Sequence, residues 1–421
     1  MESSTINYVI EFLVGKELSR YLSYGEPHGN AIVVVPSGWF GQPVMPVTPV
    51  PQFEGMPVIF GEPRMEERDG VVYVHADFVA SAYFLLSRYE ELLNPARDEH
   101  GRFPGKSSVP YANGFIDRPV VDEYGRWLRN LIARYFAISL PPQTKGISKL
   151  WLTHDVDTPF ETRGLMGRFR DVASGIVKRH RFSLRPVTEY IRGRSNPYTF
   201  PWLLEFDQGV MSRVERVEAL YFILARKDGD ARDNWYLGDS RWFKLLKEFR
   251  RYGVTLGLHV SYAAGGNMKS IKQELDTLTR FARQDVTPYS RHHFLRMTDP
   301  SDFHHLEDAG ITDDFSVGYA DVAGFRVGTC RPYRWIDPRT GTLGKLVIHP
   351  MTIMECTLDN PSYMGMQHDA GFEYAKKLIS RVAEFEGECV LLWHNTSLMM
   401  VKGNWQRDLY CECVSFAKDK L

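Results

Sequence analysis

From residue 147 to the C-terminus, short apolar runs of strand character alternate with longer helical patterns. Such alternation is typical of β-α units, whose strands form a parallel sheet. The predicted strands are 149–153, 219–225, 255–259, 289–295, 315–319, 345–350 and 390–393, and the predicted helices are 163–180, 239–252, 270–284 and 371–385. About seven such units favour a distorted, closed or partly closed (β/α)7 barrel, and an open doubly wound sheet is the alternative.

Residues 1–146 differ from the rest of the chain in composition and in the pattern of predicted elements. Short strand-like runs at 31–35, 57–60 and 71–74 lie among Pro and Gly, and helical patterns follow at 78–93 and 122–137. We therefore predict a small α+β domain. Two prolines and a polar stretch at 141–146 are typical of a link, so the predicted domains are 1–146 and 147–421. A chain of 421 residues exceeds the usual single core, which agrees with two domains.

Composition and charge limit the class of partner. Lys and Arg number 51 against 52 Asp and Glu, and the absence of a basic block argues against nucleic acid as a partner. The N-terminus lacks a signal-peptide pattern and no apolar run is long enough to span a bilayer, so we expect a cytoplasmic protein. The five cysteines are odd in number and include no C-x-x-C pair, which argues against a disulfide framework or a zinc knuckle. No glycine-rich phosphate loop follows a predicted strand, which argues against nucleotide chemistry.

Two carboxylates, Asp155 and Asp157, follow the predicted strand at 149–153. A carboxylate is expensive to desolvate without a partner, so a metal ion or a substrate proton is expected beside them. One carboxylate bound to a dication and a second one beside it suit hydrolysis, because the metal acidifies a water and the other carboxylate removes its proton. The alternative is a turn in which an aspartate caps the strand end.

Three further predicted strands offer histidine or arginine. His259 and His394 each end an apolar run, and Arg291, His292 and His293 lie together in another. Strand alternation places Arg291 and His293 on one face, so His293 is the preferred metal ligand and His292 the alternative. An arginine beside a carboxylate base orients it, and a histidine opposite the nucleophile protonates a leaving group. Each histidine has a structural alternative as a hydrogen-bonded core residue, and His349 is a substitute ligand.

These residues, in this order, resemble the motifs of the polysaccharide deacetylase family with its NodB homology domain. The segment Thr153-His154-Asp155-Val156-Asp157 resembles the motif T-F-D-D-G with one residue inserted. By that match Asp155 is the catalytic base and Asp157 is a metal ligand. The resemblance covers residues 147–421, and residues 1–146 are similar to the accessory region that precedes such domains in a group of bacterial deacetylase-like proteins.

The remaining motifs of the family match this sequence to different degrees. His259 begins the motif H-[ST]-x-x-H, but Ala263 occupies the place of its second histidine. Arg291 matches the arginine that orients the base, and the run that ends in His394 matches the strand that carries a histidine acid. The loss at position 263 leaves either His293 completing an aspartate and two-histidine set, or a site with two protein ligands.

The resemblance implies a metal-dependent hydrolase, with zinc as the expected metal, that removes an N- or O-acetyl group from a sugar or polysaccharide precursor. Asp155, Arg291 and His394 are its expected catalytic residues, and Asp157, His259 and His293 its expected ligands. The alternatives are a metal-dependent amidase on a non-sugar amide and a catalytically silent carbohydrate-binding homologue. Four aromatic residues are candidates for stacking on sugar rings, with core packing as the alternative: Trp151, Tyr262, Trp335 and Trp393.

Overall fold

A computed structural model of the chain describes most of its residues. They are 3–27, 32–141, 145–160, 184, 200–226, 230, 232–233, 237, 240–282, 286–399 and 404–421. The predicted helix at 163–180 lies outside this described part. Among the described residues, no helix is long and apolar enough to cross a membrane.

The N-terminal part contains one four-stranded sheet and a short hairpin. Its strands are β1 (Leu22–Tyr24), β2 (Ile32–Val34), β3 (Gln52–Phe53), β4 (Met56–Pro57), β5 (Gly61–Arg68) and β6 (Val71–Ala76). Its helices are α1 (Ser3–Val14), α2 (Lys16–Ser19), α3 (Phe78–Leu86), α4 (Glu90–Leu93), α5 (Val109–Ala112) and α6 (Val120–Tyr135). The sheet order is β1-β2-β6-β5, and β3 pairs with β4. The mixed content agrees with the predicted α+β character.

The described residues of the rest of the chain form a nine-stranded sheet covered by helices. Its strands are β7 (Lys149–Val156), β8 (Val217–Leu224), β9 (Thr255–Val260), β10 (Tyr289–His292), β11 (Asp313–Asp314), β12 (Tyr333–Ile336), β13 (Leu343–Ile348), β14 (Ile353–Met354) and β15 (Glu388–Leu392). The described helices are α7 (Phe200–Met211), α8 (Ser240–Arg251), α9 (Met268–Ala282), α10 (Phe303–Asp308), α11 (Glu355–Asp359), α12 (His368–Glu384) and α13 (Gln406–Lys418).

The order of the sheet is β12-β13-β11-β10-β9-β8-β7-β15-β14, and every pairing except β12 with β13 is parallel. Apart from β12, neighbouring strands of the sheet are also neighbours in the sequence, or are the first and last long strands, β7 and β15, as they would be around a barrel. The interruption is the step between β13 and β14, which do not pair. Side chains from four segments (β7, β8, the residue after β11, and β15) meet on one face, which requires the sheet to curl: Trp151, Leu220, Phe222, Phe315 and Val390. The architecture is therefore barrel-like and incompletely closed within the described residues.

The structure corrects several sequence-based predictions. The predicted strand at 315–319 is wrong, because β11 contains only Asp313–Asp314 and, of the run after it, Phe315 alone joins the apolar cluster inside the curled sheet. The strand β5 was not predicted because its sequence is charged and its side chains are largely exposed. Helix α13 was also not predicted, although it buries one face against the sheet.

The N-terminal part packs tightly on the barrel-like part. Arg326 donates to the Glu91 carboxylate at 2.8 Å, and both side chains are buried. Asp122 accepts from the Thr329 hydroxyl at 2.7 Å and from Arg331 Nε at 2.7 Å. One cluster of buried apolar side chains runs through both parts. The division at residue 146 therefore stays a prediction about folding units, while the two parts share a core.

A buried polar network joins β7 to two of the helices that cover it. Asp207 on α7 accepts from the hydroxyls of Tyr221 and Tyr410, at 2.7 Å each, and lies 3.0 Å from His154 Nε2. The other ring nitrogen of His154 lies 2.8 Å from the Trp393 carbonyl oxygen. Asp207 and His154 are both fully buried, so the carboxylate depends on these contacts instead of water.

Replacing Asp207 with alanine is expected to lower the free energy of unfolding by about 3–5 kcal/mol, because three buried partners lose their shared acceptor. Urea unfolding followed by circular dichroism measures the change. The matched control is Asp276→Ala, which breaks an ion pair with Lys272 whose side chains are 53% and 52% exposed. That variant is expected to stay within about 0.5 kcal/mol of wild type. Equal losses in the two variants would contradict the role of burial.

Candidate metal centre

Strand β7 sends alternate side chains into the curled sheet. Trp151 and Thr153 point inward, and Asp155 continues the same face at the carboxyl end of the strand, while His154 points out toward the helices. This period of two is the ordinary geometry of a strand. Asp157 follows directly after the strand and lies at the same mouth.

Three donor atoms converge there from three segments. Asp157 Oδ1 lies 3.2 Å from His259 Nε2, at the end of β9, and 3.6 Å from His293 Nε2, directly after β10. One ligand atom from each of the three residues lies within 4.8 Å of those from the other two. Burial raises the pKa of Asp157, but the two imidazoles and His394 outweigh it and hold that pKa well below its usual value.

Both imidazoles are oriented through their other nitrogen. His259 Nδ1 lies 2.9 Å from the Arg291 carbonyl oxygen, and His293 Nδ1 lies 2.9 Å from Asp233 Oδ1. Such partners fix the ring so that Nε2 carries the lone pair a metal needs. His259 Nε2 is buried and makes no hydrogen bond to any described residue, which fits a site built for a cation.

The spacing of the donors fits a small dication. Ligands about 2.0–2.1 Å from a tetrahedral Zn²⁺ are separated from one another by about 3.3 Å. The two measured separations, 3.2 and 3.6 Å, bracket that value. Two imidazoles and one carboxylate, with room for a water or substrate oxygen, form a ligand set typical of catalytic zinc. The residues present therefore fit a zinc-like ion.

The second carboxylate, Asp155, is held by an arginine. Arg291 Nη1 donates to Asp155 Oδ1 at 3.0 Å and to Thr153 Oγ1 at 2.8 Å, and its Nε donates to the Phe315 carbonyl at 3.0 Å. The guanidinium is fully buried. Asp155 Oδ2 lies 3.6 Å from His259 Nε2, so one oxygen is anchored and the other faces the cluster of donors.

The remaining imidazole, His394, lies across the mouth. Its Nε2 is 3.8 Å from Asp157 Oδ2 and 4.0 Å from Asp155 Oδ2. Its Nδ1 lies 2.7 Å from Glu355 Oε1, on the fully buried first residue of α11. Burial opposes a charge on this ring, but the Glu355 carboxylate and the two aspartates outweigh it and raise the pKa of His394 to about 10. Such a histidine can deliver a proton.

A cavity of about 230 Å³ opens beside these groups. Its walls are mixed in character, with polar side chains and with three apolar ones, Leu295, Ala320 and Met354, that belong to one apolar cluster. It is lined by Arg102, Asp155, Asp157, His293, Phe294, Leu295, Ala320, Met354, Cys356, Asn360, Tyr363 and His394. A small uncharged group fits such a space next to the carboxylates.

All six predicted site residues therefore lie together, and two alternatives do not. His292 faces away, with its ring 3.2 Å from Ser316 Oγ, and burial lowers the pKa of His292 to about 3. His349 lies between Asp313 and Glu388, at the opposite end of the interior. At position 263 the alanine offers only a backbone N–H, which donates to Asp233 Oδ2 at 3.1 Å.

The four aromatic candidates for stacking on a sugar differ in burial. Trp151, Trp335 and Trp393 are buried, which is the core alternative and not a stacking surface. Tyr262 lies near the mouth, where its ring is 5.7 Å from that of Phe294. The guanidinium groups of Arg232 and Arg296 lie over this ring, 3.9 and 4.5 Å from its centroid, so the ring already stacks within the protein.

Three residues near the site were not identified from the sequence. Asp233 lies in a polar stretch that reads as a turn, Glu355 follows a two-residue strand, and Arg102 belongs to a distant loop. Their roles depend on how loops pack, which strand periodicity does not encode. The one usable signal is the turn-rich segment at 98–105, which reads as a loop that reaches toward a neighbouring domain.

Comparisons with known proteins add little to this geometry. A family model described as a family of unknown function (DUF7033) matches residues 6–137. No curated protein matches the chain. A crystal structure described as that of a "putative polysaccharide deacetylase from Mycobacterium smegmatis" is similar, with 13% sequence identity and a TM-score of 0.41, over 66% of this chain and 86% of that chain. At those values the chemistry of the site has to be argued from its own residues.

Proposed function

We propose that the protein is a metal-dependent hydrolase that removes an N- or O-acetyl group from a sugar or polysaccharide precursor. The observation that carries this proposal is the meeting of Asp157, His259 and His293 beside an arginine-held carboxylate, Asp155. A ligand set, a base and a proton donor within a few ångströms are the parts that hydrolysis of an acyl group needs. The motif resemblance described above supports the same chemistry.

In this proposal Asp157, His259 and His293 hold a divalent metal, with zinc favoured by the mixed nitrogen and oxygen donors. A bound dication supplies Lewis acidity and makes a nucleophile available at neutral pH. Asp155 Oδ2 removes the proton from the attacking water, while Arg291 holds Oδ1 of the same carboxylate in place.

The proton donor completes the reaction. His394 delivers a proton from Nε2 to the departing amine or alkoxide, since its Nδ1 is engaged by Glu355. The Glu355 carboxylate favours the charged ring, so the donor is protonated at neutral pH. Acetate and a free amine or hydroxyl are the products.

The substrate class rests on the shape of the cavity as well as on the resemblance. A volume of about 230 Å³ accommodates an acetyl group together with part of one sugar ring. The apolar wall formed by Leu295, Ala320 and Met354 suits a methyl group.

The test combines elemental analysis of the purified protein with a screen for acetate release from N- and O-acetylated sugars. We expect about one equivalent of a divalent metal and acetate release that stops when the metal is chelated. Hydrolysis of simple amides without action on sugars would favour the amidase alternative. Sugar binding without metal and without acetate release would show a silent homologue and contradict the proposal.

The proposed proton donor predicts a pH dependence. Glu355→Gln removes the carboxylate that raises the pKa of His394, so that pKa is expected to fall. The acid must be protonated, and activity is lost as pH rises through its pKa. The alkaline limb of the kcat/KM profile should therefore move to lower pH in the variant, while the acidic limb stays in place. An unchanged alkaline limb would remove His394 from this role.

A further inference from the structure

A loop of the N-terminal part reaches the metal centre. The loop is organised around Asp98, whose carboxylate accepts from the backbone N–H groups of His100 and Arg102, at 2.9 Å each, and from Arg102 Nε at 2.7 Å. Gly101 adopts a positive φ of 75°, which closes the turn. The loop is therefore ordered by its own contacts and presents Arg102 in one direction.

The guanidinium of Arg102 leaves the N-terminal part and enters the wall of the cavity. Its Nη1 donates to the Phe294 carbonyl at 2.9 Å, and its Nη2 donates to the Tyr363 hydroxyl at 3.1 Å. The residue is 7% exposed and lines the same cavity as His293 and the two aspartates. The next residues of the loop dock on Asp321, which accepts from the Gly105 N–H at 2.7 Å.

The segment whose carbonyl accepts the hydrogen bond from Arg102 has an unusual backbone conformation. Phe294 and Leu295 have φ angles of 61° and 51°, a left-handed conformation that bulky side chains rarely adopt. This turn directly follows His293 and brings its imidazole to Asp157. Strained backbone persists only where its surroundings hold it, and the charge-assisted hydrogen bond from Arg102 is a direct restraint on it.

We propose that the N-terminal part completes the metal centre, with Arg102 as the positioning residue that holds the turn at Phe294 and Leu295 and thereby aims His293 at the metal. The proposal rests on the proposed function in taking His293 as a ligand. It gives the region matched by the family of unknown function a role in the active site.

The test uses the full chain with Arg102→Met, which keeps the apolar stem and removes the donors. Hydrogen exchange of the 289–298 segment in metal-free protein is expected to rise at least several-fold. The affinity for Co²⁺, measured through its visible absorption, is expected to fall about 10–100-fold, as for other partners that orient metal ligands. The absorption bands should also shift, because a displaced His293 changes the coordination of the ion.

Two further variants make the result interpretable. Arg126→Ala breaks a different contact between the two parts, the ion pair of Arg126 with Glu384 at 2.8 Å, which lies away from the cavity. This variant should leave hydrogen exchange and Co²⁺ affinity unchanged. Arg102→Lys cannot reach Phe294 and Tyr363 together, so we expect intermediate exchange and affinity, and it decides the question if Arg102→Met does not fold.

Wild-type exchange and affinity in both Arg102 variants would overturn the inference. Equal effects in Arg126→Ala would also overturn it, because the contact between the two parts would then act generally. Failure of the wild type to bind a metal would instead defeat the proposed function. In that case the exchange measurement, made without metal, still decides whether Arg102 holds the turn.

Discussion

Asp157→Ala is expected to lower the affinity for Zn²⁺ by more than about 100-fold and to abolish acetate release with it. Asp157 Oδ1 is the atom that lies near both imidazole nitrogens, at 3.2 and 3.6 Å. Without it, the ion would retain two neutral ligands and lose the only anionic one of the three. Partners that merely orient a ligand contribute about 10–100-fold to affinity, and a ligand itself contributes more. Competition with a chromophoric chelator measures the loss.

The matched control for this prediction is Asp313→Asn. Asp313 is also an aspartate beside a histidine, since its Oδ1 lies 2.9 Å from His349 Nε2, but that pair lies at the opposite end of the interior. The control should bind zinc as tightly as the wild type. Stoichiometric zinc in Asp157→Ala after dialysis, or an equal loss in both variants, would refute the assignment of the ligands.

The convergence of these side chains at one end of the sheet is the part that follows most directly from the sequence. Asp155, His259 and Arg291 follow from two regularities, that parallel strands end on one edge of the sheet and that their side chains alternate. These features are local, so periodicity captures them. His293 is different, because the predicted strand at 289–295 ends at His292 and the turn that follows places the two rings on opposite sides.

What the sequence does not predict depends on contacts between distant segments. Glu355 orients His394, which is 39 residues away in the sequence. Arg102 donates a hydrogen bond to the carbonyl of Phe294, which is 192 residues away. The contacts of His349 are of the same kind, because this residue follows β13 and bridges Asp313 on β11 and Glu388 on β15. No repeating pattern encodes such pairs, and their partners are identified only when the chain is folded.

Asp155→Asn is expected to lower kcat by about 10²–10⁴-fold while zinc affinity stays within a few-fold of wild type. An amide oxygen still accepts the hydrogen bond from Arg291, so the geometry is kept, but an amide cannot take the proton of the attacking water. Asparagine also leaves the buried Arg291 without an anionic partner, which lowers the free energy of unfolding. Activity is therefore measured per folded, metal-loaded molecule.

The contrast between the two aspartates separates their roles, which proximity alone cannot do. Both lie at the end of the same strand, and only Asp155 is paired with Arg291, whereas only Asp157 contacts His293. Loss of zinc together with activity in Asp157→Ala, and loss of kcat alone in Asp155→Asn, is the expected pattern. Loss of zinc in Asp155→Asn would exchange the roles of ligand and base. Full activity in Asp155→Asn would show that another group removes the proton.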